Sequence, residues 1–201
     1  MKKRNLIFDV GGVLIGYRWK EMFMEDFGLS EKEAVELAGR IFDDPMWPEF
    51  DRGSVEPEVV VEHYCTLYPD SAKHIKRLFY ENDIMATGRE AVWDRMSELK
   101  KKGYNIYILS NYSEYLFKKH TDHMLFRKII DGGIVSYEVG AIKPEPGIYR
   151  KILEKYDLDP SECIFYDDIE KNVEAARAHG IESRLVTSEE DLLKKLDELE
   201  S

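Results

Sequence analysis

Four short apolar runs in this chain each stop at polar or acidic residues: RNLIFD (4–9), NIYILSN (105–111), GGIVSY (132–137) and ECIFYDD (162–168). A run that is apolar at every position, rather than at alternate ones, is a strand buried on both faces, as in a parallel sheet covered by helices. Helical stretches separate the runs: 89–102, with Ala91, Val92, Met96 and Leu99 on one stripe, then 113–120, 145–157 after Pro144, and 170–179. Strand and helix in alternation predict an α/β fold with a Rossmann-like parallel sheet, and 201 residues suffice for one such domain with a small insertion.

Segment 16–86 interrupts that alternation. It offers helix-like stretches around 18–27, 30–42, 57–67 and 71–80, broken by Gly28, Pro45, Pro48 and Pro69, and no convincing strand. We read it as an all-α helical insert, leaving 1–15 and 87–201 as the α/β core, with a last amphipathic helix over 189–200. Charge follows the same division. The insert has 8 Lys and Arg against 16 Asp and Glu, a net −8, out of −11 for the chain. So acidic a protein has no field to attract nucleic acid or an anionic membrane, and an anionic substrate would have to be captured locally. Two cysteines far apart, Cys65 and Cys163, suggest a reducing, cytoplasmic setting. The apolar run ending at Asp9 is too short for a signal-peptide core or a bilayer span.

Ligands of open parallel sheets bind beyond the carboxyl ends of the strands. The polar residues expected there are Asp9, Ser110, Asn111, Lys143, Asp167 and Asp168. A lone carboxylate after the first strand can act as a nucleophile, and a carboxylate pair after a later strand suits a hard cation such as Mg²⁺. A hydroxyl, an amide and a lysine can hold phosphate oxygens.

These residues carry a resemblance. FDVGGVL (8–14), LSNYS (109–113), Lys143-Pro144-Glu145 within GAIKPEPGIY (140–149), and FYDDIEKNVEAARAHGI (165–181) resemble, in order, the four motifs of the haloacid dehalogenase-like hydrolase superfamily. Position and helical character make the insert, with WPEFDRGSVEPEVV (47–60), similar to the helical caps of one branch, closest in type to bacterial sugar-phosphate phosphatases. The resemblance implies a Mg²⁺-dependent phosphatase acting on a small phosphate ester, with a sugar phosphate as the expected substrate. Asp9 would be the nucleophile and, with the Gly11 carbonyl, a metal ligand. Asp168 would complete the metal site beside Asp167, Ser110 and the amide of Asn111 would bind phosphate, and Lys143 would neutralise charge.

One position departs from the pattern. Superfamily phosphatases usually carry a second Asp two residues after the nucleophile as general acid and base, and here that position is Gly11. Loss of such a group costs about 10²–10⁴ in rate. Three readings stay open: an acid supplied by the cap, the substrate or solvent; a leaving group that departs without protonation, such as an anomeric sugar hydroxyl or an acyl group; or a binding protein with weak or no turnover. Haloacid dehalogenases also lack the second Asp, but they need no metal, and paired acids beside the nucleophile would repel their carboxylate substrates.

Other residues have simpler readings. Asp167 and Asp168 can cap the helix that starts near Glu170, and Asn172 would support that loop. His120 and His123 read as a solvent-facing pair rather than a metal site. Trp19, Phe23, Trp47 and Tyr17 read mainly as packing of the insert, with Tyr17 or Trp47 the candidates for a substrate pocket. Among the cations of the insert, Arg18, Lys20 and Arg52 are the candidates to meet the non-reacting end of a substrate, although pairing with a neighbouring acid is the simpler expectation for each. No clean apolar face indicates an oligomeric state.

Overall fold

A computed structural model describes residues 4–81 and 85–200. Five parallel strands form its sheet: β1 (Asn5–Phe8), β4 (Asn105–Ser110), β5 (Gly132–Val135), β6 (Cys163–Asp167) and β7 (Glu182–Leu185), in the order β5-β4-β1-β6-β7. β1 is central. Phe8 is level with Ile108 of β4 on one side and with Tyr166 of β6 on the other. The chain turns to opposite sides of β1 to form these neighbours, and the crevice so created at the carboxyl ends is where ligands of such sheets bind.

Burial on both faces is why the runs are apolar throughout. Leu6, Phe8, Ile106, Ile108, Ile164 and Tyr166 meet one layer, including α6 (Glu90–Lys101) and α12 (Glu189–Asp197). Ile7, Tyr107, Leu109 and Phe165 point the other way, against Ile148, Tyr149 and Ile152 of α10 (Pro146–Lys155) and Ala176 of α11 (Glu170–Arg177). Alternate residues of one strand thus serve two cores, as the period of two requires.

β7 was not anticipated. Its sequence, ESRL, has one large apolar residue, because an edge strand need not be buried on both faces. Two further strands, β2 (Ile15–Tyr17) and β3 (Ala86–Gly88), pair antiparallel where the chain enters and leaves the helical segment. The insert was read as strand-free to its ends, and three residues are too few to show a period. Between these strands lie α1 (Trp19–Glu21), continued as a π-helical Met22–Asp26, then α2 (Glu31–Phe42), α3 (Met46–Asp51), α4 (Pro57–Leu67) and α5 (Ala72–Tyr80). Ser30 and Glu33 close a capping box at the start of α2. Their apolar stripes, among them Ile41, Phe50, Tyr64, Ile75 and Phe79, join one continuous cluster with the β1 loop.

The core is completed by α7 (Glu114–Thr121), α8 (Phe126–Ile129) and α9 (Ser136–Val139). His120 lies on the buried stripe of α7 with Leu116 and Phe117 and is inaccessible to solvent, whereas His123 is exposed. The expected surface pair therefore does not form. Among the described residues no helix is long and apolar enough to cross a membrane.

Candidate active site

Asp9 is the first residue past β1, its N–H donating to the Tyr166 carbonyl of β6 at 2.9 Å. Its Oδ1 accepts from the Val10 N–H and the Ser110 hydroxyl, each at 2.7 Å, and lies 3.0 Å from Lys143 Nζ. Ser110 ends β4, so the two strand ends present carboxylate and hydroxyl to each other across one register step. Lys143 arrives on the loop before α10. Its ammonium, 2% exposed as a residue, also reaches Asp167 Oδ2 at 2.6 Å.

Asn111 explains how that loop is held. Its side-chain carbonyl accepts the Lys143 N–H at 2.7 Å and its NH₂ donates to the Lys143 carbonyl at 2.9 Å. With the carboxamide engaged in this way, any contact of Asn111 with phosphate falls to its main-chain N–H.

Asp167 and Asp168 differ in surroundings. Asp167 is fully buried at the end of β6. Its Oδ1 accepts from the Ile169 N–H (2.8 Å) and Asn172 Nδ2 (3.0 Å), and its Oδ2 from Lys143. Asn172 is thus the support expected for this loop. Asp168 is exposed and leans over the β1 loop, so close that a Cβ at Gly12 would collide with Asp168 Oδ2. Gly12 also has φ +71°, a conformation that glycine adopts without strain. Arg89, which sequence reasoning passed over, fixes this loop by donating to the carbonyls of Gly12 (2.7 Å) and Val13 (3.0 Å), and Trp93 Nε1 donates to Leu14 (2.8 Å).

One oxygen from each of Asp9, Asp167 and Asp168 lies within 4.8 Å of the others. Burial, reinforced by the other two acids and opposed by Lys143 and Ser110, raises Asp9 from an ordinary 3.8 to about 7. Asp168 is exposed as a residue, yet partial desolvation of its carboxyl, together with Asp167, likewise raises it. Burial works against the charge of Lys143, but Asp167 and Asp9 outweigh it and hold the ammonium above its usual value.

A cavity of about 230 Å³ adjoins this cluster at Asn111 and Tyr17. Its walls are largely apolar: Trp19, Phe42, Trp47, Met85 and Leu116, with Tyr112 and His120 at the core side. Tyr17 and Trp47 do line it, while Phe23 is buried in the core. Arg18, Lys20 and Arg52 do not line the cavity. Arg18 pairs with Glu25 and Asp26, Lys20 with Glu31, and Arg52 with Glu49 and, through two hydrogen bonds of 2.8 and 2.9 Å, with Glu145 beside Lys143. Asp51, at the end of α3, lines the cavity instead, its carboxyl raised to about 7 mainly by burial. Its sequence position gave no hint of this, because only the packing of α3 against α9, where Ser136 Oγ donates to the Asp51 carbonyl, brings it there.

A family model described as haloacid dehalogenase-like hydrolase matches residues 4–180. The sesquiterpene phosphatase astK of Aspergillus oryzae is 26% identical over 175 residues, covering 87% of this chain and 85% of that protein. Acyl-CoA dehydrogenase family member 10 of Mus musculus is 27% identical over 207 residues, which take in 98% of this chain and only 19% of that relative. Among solved structures, the HAD family enzyme bt-2542 of Bacteroides thetaiotaomicron, in complex with magnesium and inorganic phosphate, aligns with a TM-score of 0.72 at 23% identity. That alignment covers 92% of this chain and 95% of the other, and the likeness is one of fold. Taken with the strand-end motifs that the sheet gathers at one crevice, the family match over nearly the whole chain means that it belongs to the haloacid dehalogenase-like hydrolases.

Proposed function

We propose that the protein is a Mg²⁺-dependent phosphatase that passes the phosphoryl group of a small phosphate monoester to Asp9 and from there to water. The observation that carries this reading is the setting of Asp9. Three donors converge on its Oδ1, which leaves Oδ2 as the oxygen free to attack phosphorus. Ser110 and Lys143, which both approach Asp9 Oδ1, would take up the charge of the transferring oxygens. Phosphoryl transfer asks chiefly for such positioning and neutralisation.

The donor set fits a divalent cation. Of three clustered carboxylates two share one buried ammonium, and hard oxygen ligands are what Mg²⁺ takes. Asp9 and the exposed Asp168 would hold it directly, whereas Asp167, already bonded through both oxygens, would support Lys143 and the loop. When bound, the ion supplies charge neutralisation that lets an anionic ester approach an anionic nucleophile. A methyl group at position 12 would displace Asp168, so Gly12→Ala is expected to weaken Mg²⁺ binding about 10–100-fold, read from the Mg²⁺ dependence of the melting temperature. An unchanged dependence would remove Asp168 from the metal site.

The helical segment 16–86 acts in this reading as a cap that covers the ester and excludes bulk water. The apolar cavity between it and the sheet favours an alcohol with an apolar body over the sugar phosphate expected from the resemblance, in keeping with a relative named as a sesquiterpene phosphatase. Phosphate release from prenyl, alkyl and sugar phosphates, with Mg²⁺ and with EDTA, tests the proposal. Mg²⁺-dependent release that is fastest for prenyl or alkyl esters is the expected result. No release from any ester overturns it, and chloride release from a haloacid, unaffected by EDTA, would mark a dehalogenase instead.

A further inference from the structure

The vacancy left by the missing second Asp is filled in space. A Cβ built on Gly11 would stand 2.6 Å from the Tyr17 hydroxyl oxygen and 2.8 Å from its ring Cε2. The Tyr17 phenol therefore occupies the volume that a side chain at position 11 would enter. Strand β2 holds it there: Tyr17 pairs with Ala86, and the next N–H, that of Arg18, donates to the Met85 carbonyl at 2.9 Å. Tyr17 is 40% exposed as a residue and lines the cavity, and its hydroxyl is hydrogen-bonded on the core side to Tyr112.

That hydroxyl begins a hydrogen-bonded chain into the core. Tyr17 Oη lies 2.7 Å from Tyr112 Oη, which lies 2.7 Å from His120 Nδ1. Tyr112 is 4% exposed and His120 not at all. The chain has two polarities, since hydroxyl hydrogens rotate and the imidazole has two tautomers. Run inward, Tyr17 donates to Tyr112 and Tyr112 to Nδ1. Run outward, Nδ1–H donates to Tyr112, Tyr112 donates to Tyr17, and the Tyr17 O–H is free to face the cavity.

We propose, on the basis of the phosphatase reading, that Tyr17 is the group that protonates the departing alcohol, with Tyr112 and His120 as positioning residues that set the outward polarity. As Asp9 Oδ2 forms its bond to phosphorus and the ester P–O bond breaks, the Tyr17 proton passes to the alcohol oxygen. The phenolate left behind accepts the hydrogen bond of Tyr112. In the second half, water attacks phosphorus, the P–O bond to Asp9 breaks, and the proton of that water restores the Tyr17 hydroxyl. No further reactant is consumed, and the enzyme returns to its starting state. An aromatic donor lying against an apolar cavity also suits an alcohol of apolar body better than a carboxylate would.

The test is the dependence of kcat/KM on the leaving group, measured on the Mg²⁺-loaded enzyme with alkyl, phenyl, 4-nitrophenyl and 2,4-dinitrophenyl phosphates. A leaving group that departs as a stable anion needs little protonation, so a lost proton donor is felt most by the alkyl ester. Tyr17→Phe is expected to lose about 10²–10³-fold with alkyl phosphate, the loss shrinking steadily to a few-fold with the dinitrophenyl ester. Tyr112→Phe should steepen the same dependence to a smaller degree, a change that mere loosening of the cavity would not produce. An equal loss across the series, or none, overturns the proposal while leaving the phosphatase reading standing. So does a leaving-group-dependent loss in Asp51→Asn instead, which would make the α3 carboxyl the donor. A wild type that releases phosphate from no ester would end both.

Discussion

Replacing Asp9 by Asn should lower the turnover of any phosphate ester by about 10⁴-fold or more, because the bond to phosphorus is made by a carboxylate oxygen that the amide cannot match as a nucleophile. The same variant should fold. Asn keeps an oxygen to accept from Val10 N–H and Ser110 Oγ, and it removes a charge from a site where burial already lifts Asp9 to about 7. That lift has a sign in stability. Between about pH 4 and pH 7 the folded protein holds a proton on Asp9 that the unfolded chain has released, so without bound cation its stability falls as pH rises through that window. Asn does not titrate there. Melting in EDTA should therefore show Asp9→Asn gaining on wild type from pH 5 to pH 8. Residual turnover within tenfold of wild type would remove Asp9 from the chemistry, and a gain by wild type with pH would contradict the buried-carboxyl account.

Lys143→Met should be strongly destabilising. The ammonium is sealed between Asp9 Oδ1 at 3.0 Å and Asp167 Oδ2 at 2.6 Å, and a methionine of similar length would leave two buried acids facing each other. Removing one partner of a buried ion pair costs about 3–5 kcal/mol, which in a chain of this size lowers the melting temperature by roughly 10 °C. Adding Asp9→Asn to that variant should restore part of the loss, since one of the stranded charges goes with it. A melting temperature within 2 °C of wild type, to order of magnitude, would mean that these acids take up protons at little cost and that Lys143 is not their counter-ion.

The sheet and the carboxylate cluster were legible in the sequence for one reason. Parallel strands buried on both faces leave uninterrupted apolar runs, and polar residues that end such runs must emerge at the same edge. Asp9, Ser110 and Asp167 were found in that way. Lys143 was grouped with them although it follows no strand directly, and it is Asn111 that carries it in. What escaped notice depends on approach between distant segments. Asp51 reaches the cavity because α3 packs on α9, and Arg89 holds a loop 77 residues earlier in the chain. His120 was misjudged although a signal existed. It stands four positions after Leu116 and three after Phe117, on the stripe that a helix over 114–121 turns inward. Spacing to His123 was the wrong comparison.

The short β2–β3 ribbon joins the two places where the chain crosses from the sheet into the helices and back. Because the crossings are neighbours bonded to one another, the sheet closes around a hairpin-like stem, whatever length of chain lies beyond it. The register of the five parallel strands is set by pairings in which the ribbon takes no part. The stem instead fixes where the helical segment leaves the sheet and where it returns, while the apolar side chains of that segment merge with the core. Tyr17, rooted in the stem, is thereby anchored beside Gly11 by backbone pairing as well as by packing.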